Sequence, residues 1–322
     1  MADLVFFLHA CVASNTLVAS LCGLLVIPIA AWLAVRLLAP YIRRMNNDPS
    51  WQAPLAAIAS TTPGAVFLVL AIVDLAGARS SGCLQFVWGR IIFASILTLA
   101  ILAFIRATAV AYQRYAQVRR VIQHSHTPSD QVREVAKKVG LTVRIIPSPE
   151  PFCALAQPLR PVVLLSRGTV ERLDNEELEA ALTHERAHAL RGDLLLAAAL
   201  SFFADLLPLP VRDLTATYKA AREFAADNHA VRKVEPHQLA SAILSLAGGQ
   251  TLGHGVAALA EDAASLKKRV LALLENRAER TDLAGRRMMT VSGLFAIATI
   301  SLMPAVLSSM NHYVCTMQAM SP

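Results

Sequence analysis

Four apolar runs of about 20 residues constrain the fold of this 322-residue chain more than any other feature. A bilayer has a hydrocarbon core of about 30 Å, and about 20 residues of helix are needed to cross it. The composition agrees, because 55% of the residues are hydrophobic and only 16% are charged, which is too apolar for an ordinary soluble protein. The sequence therefore predicts membrane-spanning helices at about 16–38, 54–76, 91–110 and 289–308.

The positions of the arginines predict the orientation of these helices, since short cytoplasmic loops collect Lys and Arg. Arginines follow the first and third runs and precede the fourth, whereas neither terminus carries Lys or Arg outside its run. We therefore expect both termini outside and the long segment 112–287 in the cytoplasm. Because no cationic residue precedes the first run, we expect no cleaved signal peptide. The arginines lie at the ends of the runs and not in a basic stripe with interleaved aromatic residues, so no direct binding of nucleic acid is expected.

The segment 112–287 alternates helix and strand signals, which predicts an α+β domain inserted between the third and fourth spans. "TPSDQVREVAKKVGL" has Pro128 or Ser129 at a helix start and Gly140 at its end. "TVRII" and "PVVLLS" are short β-branched runs that favour strands. "DNEELEAALTHERAHAL" begins with Asp174 and has Glu177 three residues later, the pattern of a capping box.

The predicted helix after Asp174 contains the sequence "HERAH". On a helix, His184 and His188 share one face, so their imidazoles can reach a single ion while Glu185 borders the same cleft. Zinc peptidases use this arrangement, with two histidine ligands and a carboxylate that takes a proton from the attacking water. The alternative is that the spacing arose by chance in a helix without a metal.

A second helix signal supplies the remaining groups. A catalytic zinc needs three protein ligands, and "YKAAREFAADNHAV" offers Glu223 as the third. Asp227 lies four residues later on the same face, where it can accept the second ring N–H of a ligand histidine and fix its orientation. The alternative for both carboxylates is a solvated helix face.

Together, "HERAHALRGD" and "REFAADNHAV" resemble the BlaR/MecR-type integral-membrane zinc metallopeptidases, which carry HExxHxxRxD and a later ExxxD. The similarity runs from about 141 to 275 and includes the lead-in "PFCALAQPLRPVVLLSRGTVERLDNEELEA" and the trailing "LKKRVLALLE". It implies one Zn²⁺ per chain in an α+β, zincin-like domain. It implies His184, His188 and Glu223 as ligands, Glu185 as the catalytic base and Asp227 as the partner of a ligand histidine.

The resemblance extends to further residues and to partners. Arg191 and Asp193 match the RxD pattern, and we expect them to tie the helix end to its surroundings. Cys153, Ala154 and Leu155 fall in the strand region where zinc peptidases hold substrate backbone; for Cys153 the alternative is an inert buried thiol. A protein substrate is implied, such as a transcriptional repressor, in a bacterial cytoplasmic membrane. Membrane lipid is a second partner, and the sequence leaves a homo-oligomer open.

The antibiotic-sensing members carry an extracellular sensor domain after the last span, whereas this chain stops about a dozen residues beyond it. We therefore expect no direct β-lactam sensing. The apolar stretch 194–210 is interrupted by Asp205 and two prolines, which favours a buried or membrane-grazing helix over a span. Cys83 and Cys315 would both lie outside, either as a disulfide or as two thiols. Two rival functions are a quality-control or prenyl-protein membrane metallopeptidase and a non-catalytic membrane signal transducer.

Overall fold

The computed structural model describes residues 27–44, 49–77, 87–157, 160–206, 212–247 and 266–275. These residues form a mostly helical protein with one small sheet. Three helices come first, α1 (Ile27–Arg44), α2 (Pro49–Gly77) and α3 (Val87–Gln123). They are followed by α4 (Asp130–Val139), β1 (Thr142–Ile146), β2 (Cys153–Ala156), β3 (Val162–Ser166), α5 (Arg167–Arg172), α6 (Asn175–Arg191), α7 (Asp193–Leu206), α8 (Arg212–Ala230), α9 (Pro236–Ala247) and α10 (266–274).

The runs predicted to span a membrane have different outcomes. Those at 54–76 and 91–110 are helical and lie within α2 and α3, and the part of the first run from residue 27 onward lies in α1. The run at 289–308, Cys83 and Cys315 lie outside the described residues. Among the helices that the structure describes, none has both the length and the hydropathy needed to cross a membrane. The predicted boundary between residues 111 and 112 falls inside α3.

The helix ends predicted from the sequence are confirmed. Ser129 caps α4, and Gly140 ends it with a φ of 76°, in the left-handed region that glycine adopts without strain. Asp174 accepts from the backbone of Glu176 and Glu177, and the Glu177 side chain accepts from the Asp174 N–H, which completes the capping box of α6. The start of α6, the helix that carries His184 and His188, is therefore encoded locally.

The sheet has the strand order β1-β3-β2, with β1 parallel and β2 antiparallel to the central strand. Buried hydroxyl groups fix the start of β2. The Phe152 N–H donates to Oγ of Ser166 (2.9 Å) and to Oγ1 of Thr169 (2.7 Å), and the Thr169 hydroxyl donates back to the Phe152 carbonyl (2.8 Å). Because these bonds are shielded from water, they hold β2 firmly at the edge of the described sheet.

One hydrophobic core joins this sheet to the helices that cover it. Val163 and Leu165 of β3 are fully buried and pack with Leu182 of α6 and with residues of α4 and α9. Burying each such side chain contributes about 1.5–3 kcal/mol relative to leaving it in water. This core sets the distance between β2 and the face of α6 that carries the histidines.

A second core lies between α8 and the N-terminal helices. Leu214, Tyr218 and Ala221 of α8 pack against small residues of α2, including Ala56 and Ala57. α8 therefore has one face on the N-terminal helices, while Glu223 and Asp227 lie on another part of its surface.

α7 covers most of the stretch 194–210, and it packs against both α2 and α3. A side chain at Gly64 of α2 would place its Cβ 2.5 Å from the Phe203 carbonyl oxygen, so the close approach of α2 and α7 requires glycine there. On the α3 side, Arg106 donates to the Asp205 carbonyl (2.7 Å) and Arg114 pairs with the Asp205 carboxylate (2.7 Å). Asp205, which interrupts the apolar stretch, is thus paired within the helical layer.

Candidate metal centre

Two imidazoles from one face of α6 meet at the centre of the site. His184 and His188 lie one turn apart, and their Nε2 atoms are 3.1 Å from each other. Both side chains are buried, with 9% and 8% of their surface exposed. The helix brings them together because residues four apart stack above one another.

Glu223 of α8 completes the cluster. Its Oε2 lies 3.2 Å from Nε2 of His184, and its Oε1 lies 3.6 Å from Nε2 of His188. One donor atom from each of the three residues lies within 4.8 Å of the other two. The packing of α8 against α6 therefore brings together, across 39 residues of sequence, the three groups that the sequence analysis proposed as ligands.

This donor set fits a catalytic zinc ion. Two imidazole nitrogens and one carboxylate are a ligand set of zinc peptidases, which leave a further position for water or substrate. In this protein the Nε2 atoms of the two histidines and the Glu223 carboxylate converge on one point at the wall of an open cleft. The Nδ1 atom of each histidine faces a different carboxylate. Both the chemistry and the direction of the donors match the requirement.

The histidines and carboxylates of the cluster shift one another's pKa values. Burial lowers the pKa of His184, but hydrogen bonds to Asp227 and Glu223 more than offset it and raise the value to about 9. Burial raises the pKa of Glu223, yet the two histidines hold it well below its usual range. These shifts favour a protonated His184 beside an ionised Glu223, and a divalent cation bound there would displace the imidazole proton.

Each histidine has its own orienting carboxylate. Nδ1 of His184 lies 2.9 Å from Oδ1 of Asp227, as the sequence predicts for one ligand histidine. Nδ1 of His188 lies 2.7 Å from Oδ2 of Asp193, which is almost completely buried. Such partners fix the ring orientation and leave Nε2 to face the ion.

The contact of Asp193 was not foreseen, since the RxD pattern predicted only an anchor for the helix end. α6 ends at Arg191 and is capped by Gly192, whose φ of 65° lies in the left-handed region, so Asp193 begins a new helix, α7, with its carboxylate against His188. The Arg191 Nε lies 3.5 Å from the other carboxylate oxygen of Asp193. Glycine followed by an acidic residue just after HExxH is the sequence signal for this arrangement.

We expect Asp193→Asn to lower zinc affinity by about 10 to 100-fold, because the amide is a poorer acceptor for the ring N–H of His188. Competition with a chromogenic chelator measures this effect on the purified chain. Asp130→Asn, which alters a 91% exposed carboxylate on α4, is the matched control. Equal zinc affinity in the two variants would mean that Asp193 does not support the metal.

Glu185 lies between the histidines and the edge of the sheet. Its Oε2 accepts a hydrogen bond from the Leu155 N–H of β2 at 2.8 Å. Cys153, Ala154 and Leu155, the residues assigned to the substrate strand, line the same cleft. Burial and the nearby carboxylate of Glu185 raise the pKa of the Cys153 thiol, so this cysteine is a neutral part of the wall.

The cleft has a volume of about 360 Å³, and its walls differ in chemical character, one being apolar and another cationic. Beside the ligands and β2, α9 contributes apolar side chains, including Leu239, Ile243 and Leu246. Three cationic residues that sequence reasoning did not single out also line it, namely Lys219, Arg222 and Arg269. A guanidinium nitrogen of Arg222 lies 3.0 Å from Oε1 of Glu223, so one of these cations contacts a ligand directly.

Comparison with known proteins identifies the family. The profile of the family described as BlaR1 peptidase M56 matches residues 25–273, which include every site residue named above. The chain belongs to this family. The resemblance inferred from the two motifs is therefore confirmed, and the mostly helical fold with its small sheet fits an M56 peptidase.

Similar proteins outside the M56 family are also proteases by name. A "Protease HtpX homolog" of Moorella thermoacetica is 30% identical over 145 residues, 33% of this chain and 48% of the relative. Proteins of the same name from Pelotomaculum thermopropionicum and Thermococcus kodakarensis are 33% identical over 85 residues and 28% identical over 157 residues. The matches span 30% and 54% of those two relatives, so the chain covers about half their length or less.

Proposed function

We propose that this chain is a zinc metalloendopeptidase that hydrolyses peptide bonds in a protein substrate. The observation that carries the proposal is the convergence of His184, His188 and Glu223 beside Glu185 at the wall of an open cleft. Membership of a peptidase family supports the same reaction. A zinc ion, when bound, lowers the pKa of water and polarises a scissile carbonyl.

In the proposed reaction, Glu185 is the general base. Its carboxylate reaches the cleft from the turn of α6 that also carries His184, and the Leu155 N–H restrains one of its oxygens. The other oxygen is then available to take a proton from the attacking water and to pass it to the leaving amine. The water oxygen adds to the carbonyl carbon, the C–N bond breaks, and the amine leaves with the proton that Glu185 passes on, so no covalent intermediate with the protein is formed.

The substrate strand is proposed to lie along β2. The Phe152 carbonyl accepts from the Ser166 N–H of β3, so by the alternation of an antiparallel pair Cys153 and Leu155 direct their backbone groups to the other side. Within the described part of the chain, no strand pairs with that side. The Leu155 N–H on that side already donates to Glu185, so an added peptide would pair with the Cys153 backbone and the Leu155 carbonyl and place its own carbonyl next to the ligands.

The proposed location is a bacterial cytoplasmic membrane, with both termini outside and the peptidase region in the cytoplasm. Large apolar side chains support contact with lipid, because they are exposed along α1 and α3; examples are Leu37 (75%), Leu99 (66%) and Tyr112 (69%). A Thr127→Cys variant in which the five native cysteines are replaced tests the orientation. An impermeant thiol reagent should label it only after cell lysis, and labelling of intact cells would contradict the proposal.

The proposed role is regulatory, with a cytoplasmic repressor or a membrane-proximal protein as substrate. The resemblance to the BlaR/MecR type supports a repressor. A quality-control or prenyl-protein membrane metallopeptidase is the second candidate, and the three relatives named "Protease HtpX homolog" support a protease of either kind. A transducer without catalysis is the weakest, because all four residues that the reaction needs are in place.

Zinc-dependent proteolysis by the purified full-length chain tests the function. We expect cleavage of an unfolded protein such as casein, or of a repressor encoded beside this chain, that stops with a chelator and resumes with zinc. Cleavage of folded repressor alone would support regulation, and cleavage of unfolded casein alone would support quality control. If the zinc-loaded chain cleaves neither protein, the proposed peptidase function is wrong.

A further inference from the structure

We propose that Arg269 is a positioning residue of the metal centre, whose guanidinium holds Asp227 against His184 and restrains the ligand Glu223. This role rests on the zinc site proposed above, but it concerns how the site is assembled and not what it cleaves.

The contact between Arg269 and Asp227 has the geometry of a two-point clamp. Nε donates to Oδ2 of Asp227 at 2.7 Å, and Nη2 donates to Oδ1 at 2.9 Å. Two parallel bonds from a planar guanidinium fix both the position and the plane of a carboxylate, which a single bond cannot do. Since Oδ1 also lies 2.9 Å from Nδ1 of His184, holding Asp227 in place keeps a carboxylate beside that ring nitrogen.

The third guanidinium nitrogen faces the ligand itself. Nη1 of Arg269 lies 3.3 Å from Oε2 of Glu223, the oxygen nearest His184. Arg222 holds the other oxygen, Oε1, at 3.0 Å. The Glu223 carboxylate therefore lies between two guanidinium groups. One of them, that of Arg269, also holds the Asp227 carboxylate.

Burial makes these contacts strong. The side chains of Asp227 and Arg269 are 3% and 13% exposed. A buried carboxylate without a cation is unstable, and removing one partner of a buried pair leaves an uncompensated charge. Without Arg269, Asp227 would therefore move toward solvent or take up a proton, and in either case it would support His184 less well.

Packing of α10 determines where Arg269 lies. Leu273, one turn later on the helix, is 2% exposed and packs with Ala180 of α6, Ala230 of α8 and Leu239 of α9. α10 thus lies across the helices that carry the ligands, and Arg269 points from it toward the site. Through this packing α10, the last helix that the structure describes, becomes part of the metal centre.

Arg269 also lines the cleft, so the competing role is a direct contact with substrate. The two roles predict different measurements. A positioning residue changes the affinity for zinc in the absence of substrate, whereas a residue that contacts only substrate changes KM and leaves zinc affinity unaltered.

Zinc affinity of the full-length chain, measured with zinc alone by chelator competition, tests the proposal. We expect Arg269→Gln to weaken binding by about 10 to 100-fold, the range for loss of a partner of a ligand. Lys268→Gln, which removes the same charge from an exposed position on the same helix, should leave the affinity within about twofold of wild type. Wild-type affinity in Arg269→Gln would overturn the proposal.

Arg269→Lys keeps the test decisive if the glutamine variant does not fold. Lysine retains the positive charge but cannot form the two-point contact, so zinc should bind less tightly than in wild type. A lysine variant with wild-type affinity would show that the clamp geometry is not needed.

The route through Asp227 is tested with Asp227→Asn and the double variant. Because part of the effect of Arg269 passes through Asp227 and part through its contact with Glu223, the double variant should lose less zinc affinity than the product of the two single losses. Losses that simply multiply would mean that Arg269 does not act through Asp227. All of these comparisons measure zinc affinity and need no cleaved peptide. A failure of the proposed peptidase function can therefore be distinguished from a failure of the proposed role of Arg269.

Discussion

Glu185→Gln is expected to keep its zinc and its fold while losing about 10² to 10⁴ in the rate of hydrolysis, the contribution of a general base. The amide has nearly the size of the carboxylate, and its oxygen can still accept from the Leu155 N–H, which donates to Glu185 at 2.8 Å. It cannot accept a proton from water at neutral pH. Single-turnover rates of zinc-loaded protein on a cleaved substrate measure the loss.

The control for this variant is Glu179→Gln, the same substitution on the same helix. Glu179 pairs with Lys138 of α4 at 2.6 Å and does not line the cleft, so its rate should stay close to that of wild type. If Glu185→Gln, with one zinc per chain, cleaves at the wild-type rate, Glu185 is not the base and the proposed mechanism is wrong.

His188→Ala is expected to lose both zinc and activity. Only His184 and Glu223 would remain as ligands, and a catalytic zinc needs three. The loss of affinity should exceed the about 10 to 100-fold expected when a supporting partner is removed, since here the ligand itself is gone. Zinc content of the purified protein, measured by atomic absorption, gives the result.

Folding must be measured beside zinc content, because His188→Ala leaves the buried Asp193 without its imidazole partner. Circular dichroism and a thermal melt provide that measurement. His237→Ala, which changes an exposed histidine at the start of α9, should keep both zinc and melting temperature. A folded His188→Ala protein with a full equivalent of zinc would remove His188 from the ligand set.

The features that were predictable from the sequence are those with a local cause. Ser129, Gly140 and the capping box at Asp174 depend on neighbours within four residues, and the structure confirms each of them. The shared face of His184 and His188 follows from helix geometry alone. The contact of Asp193 is harder to predict although it is only five residues from His188, because it depends on the left-handed conformation of Gly192 between the two helices.

Contacts between distant segments were not predictable in the same way. The Leu155 N–H meets Glu185 only because β2 lies at the edge of the sheet and α6 packs over it. Arg269 contacts Asp227 only because Leu273 packs α10 against three other helices. Neither pairing leaves a periodic pattern in the sequence, since each depends on how whole elements pack.

The position of α8 has a consequence for how the protein can be divided. This helix supplies Glu223 and Asp227 to the metal centre, and its Leu214 and Tyr218 are buried against α1 and α2. A fragment that begins at residue 112 would start in the middle of α3 and expose that apolar face to water. The region that carries the candidate site is therefore not a detachable module, because the helix with Glu223 depends on the first helices to keep its apolar face out of water.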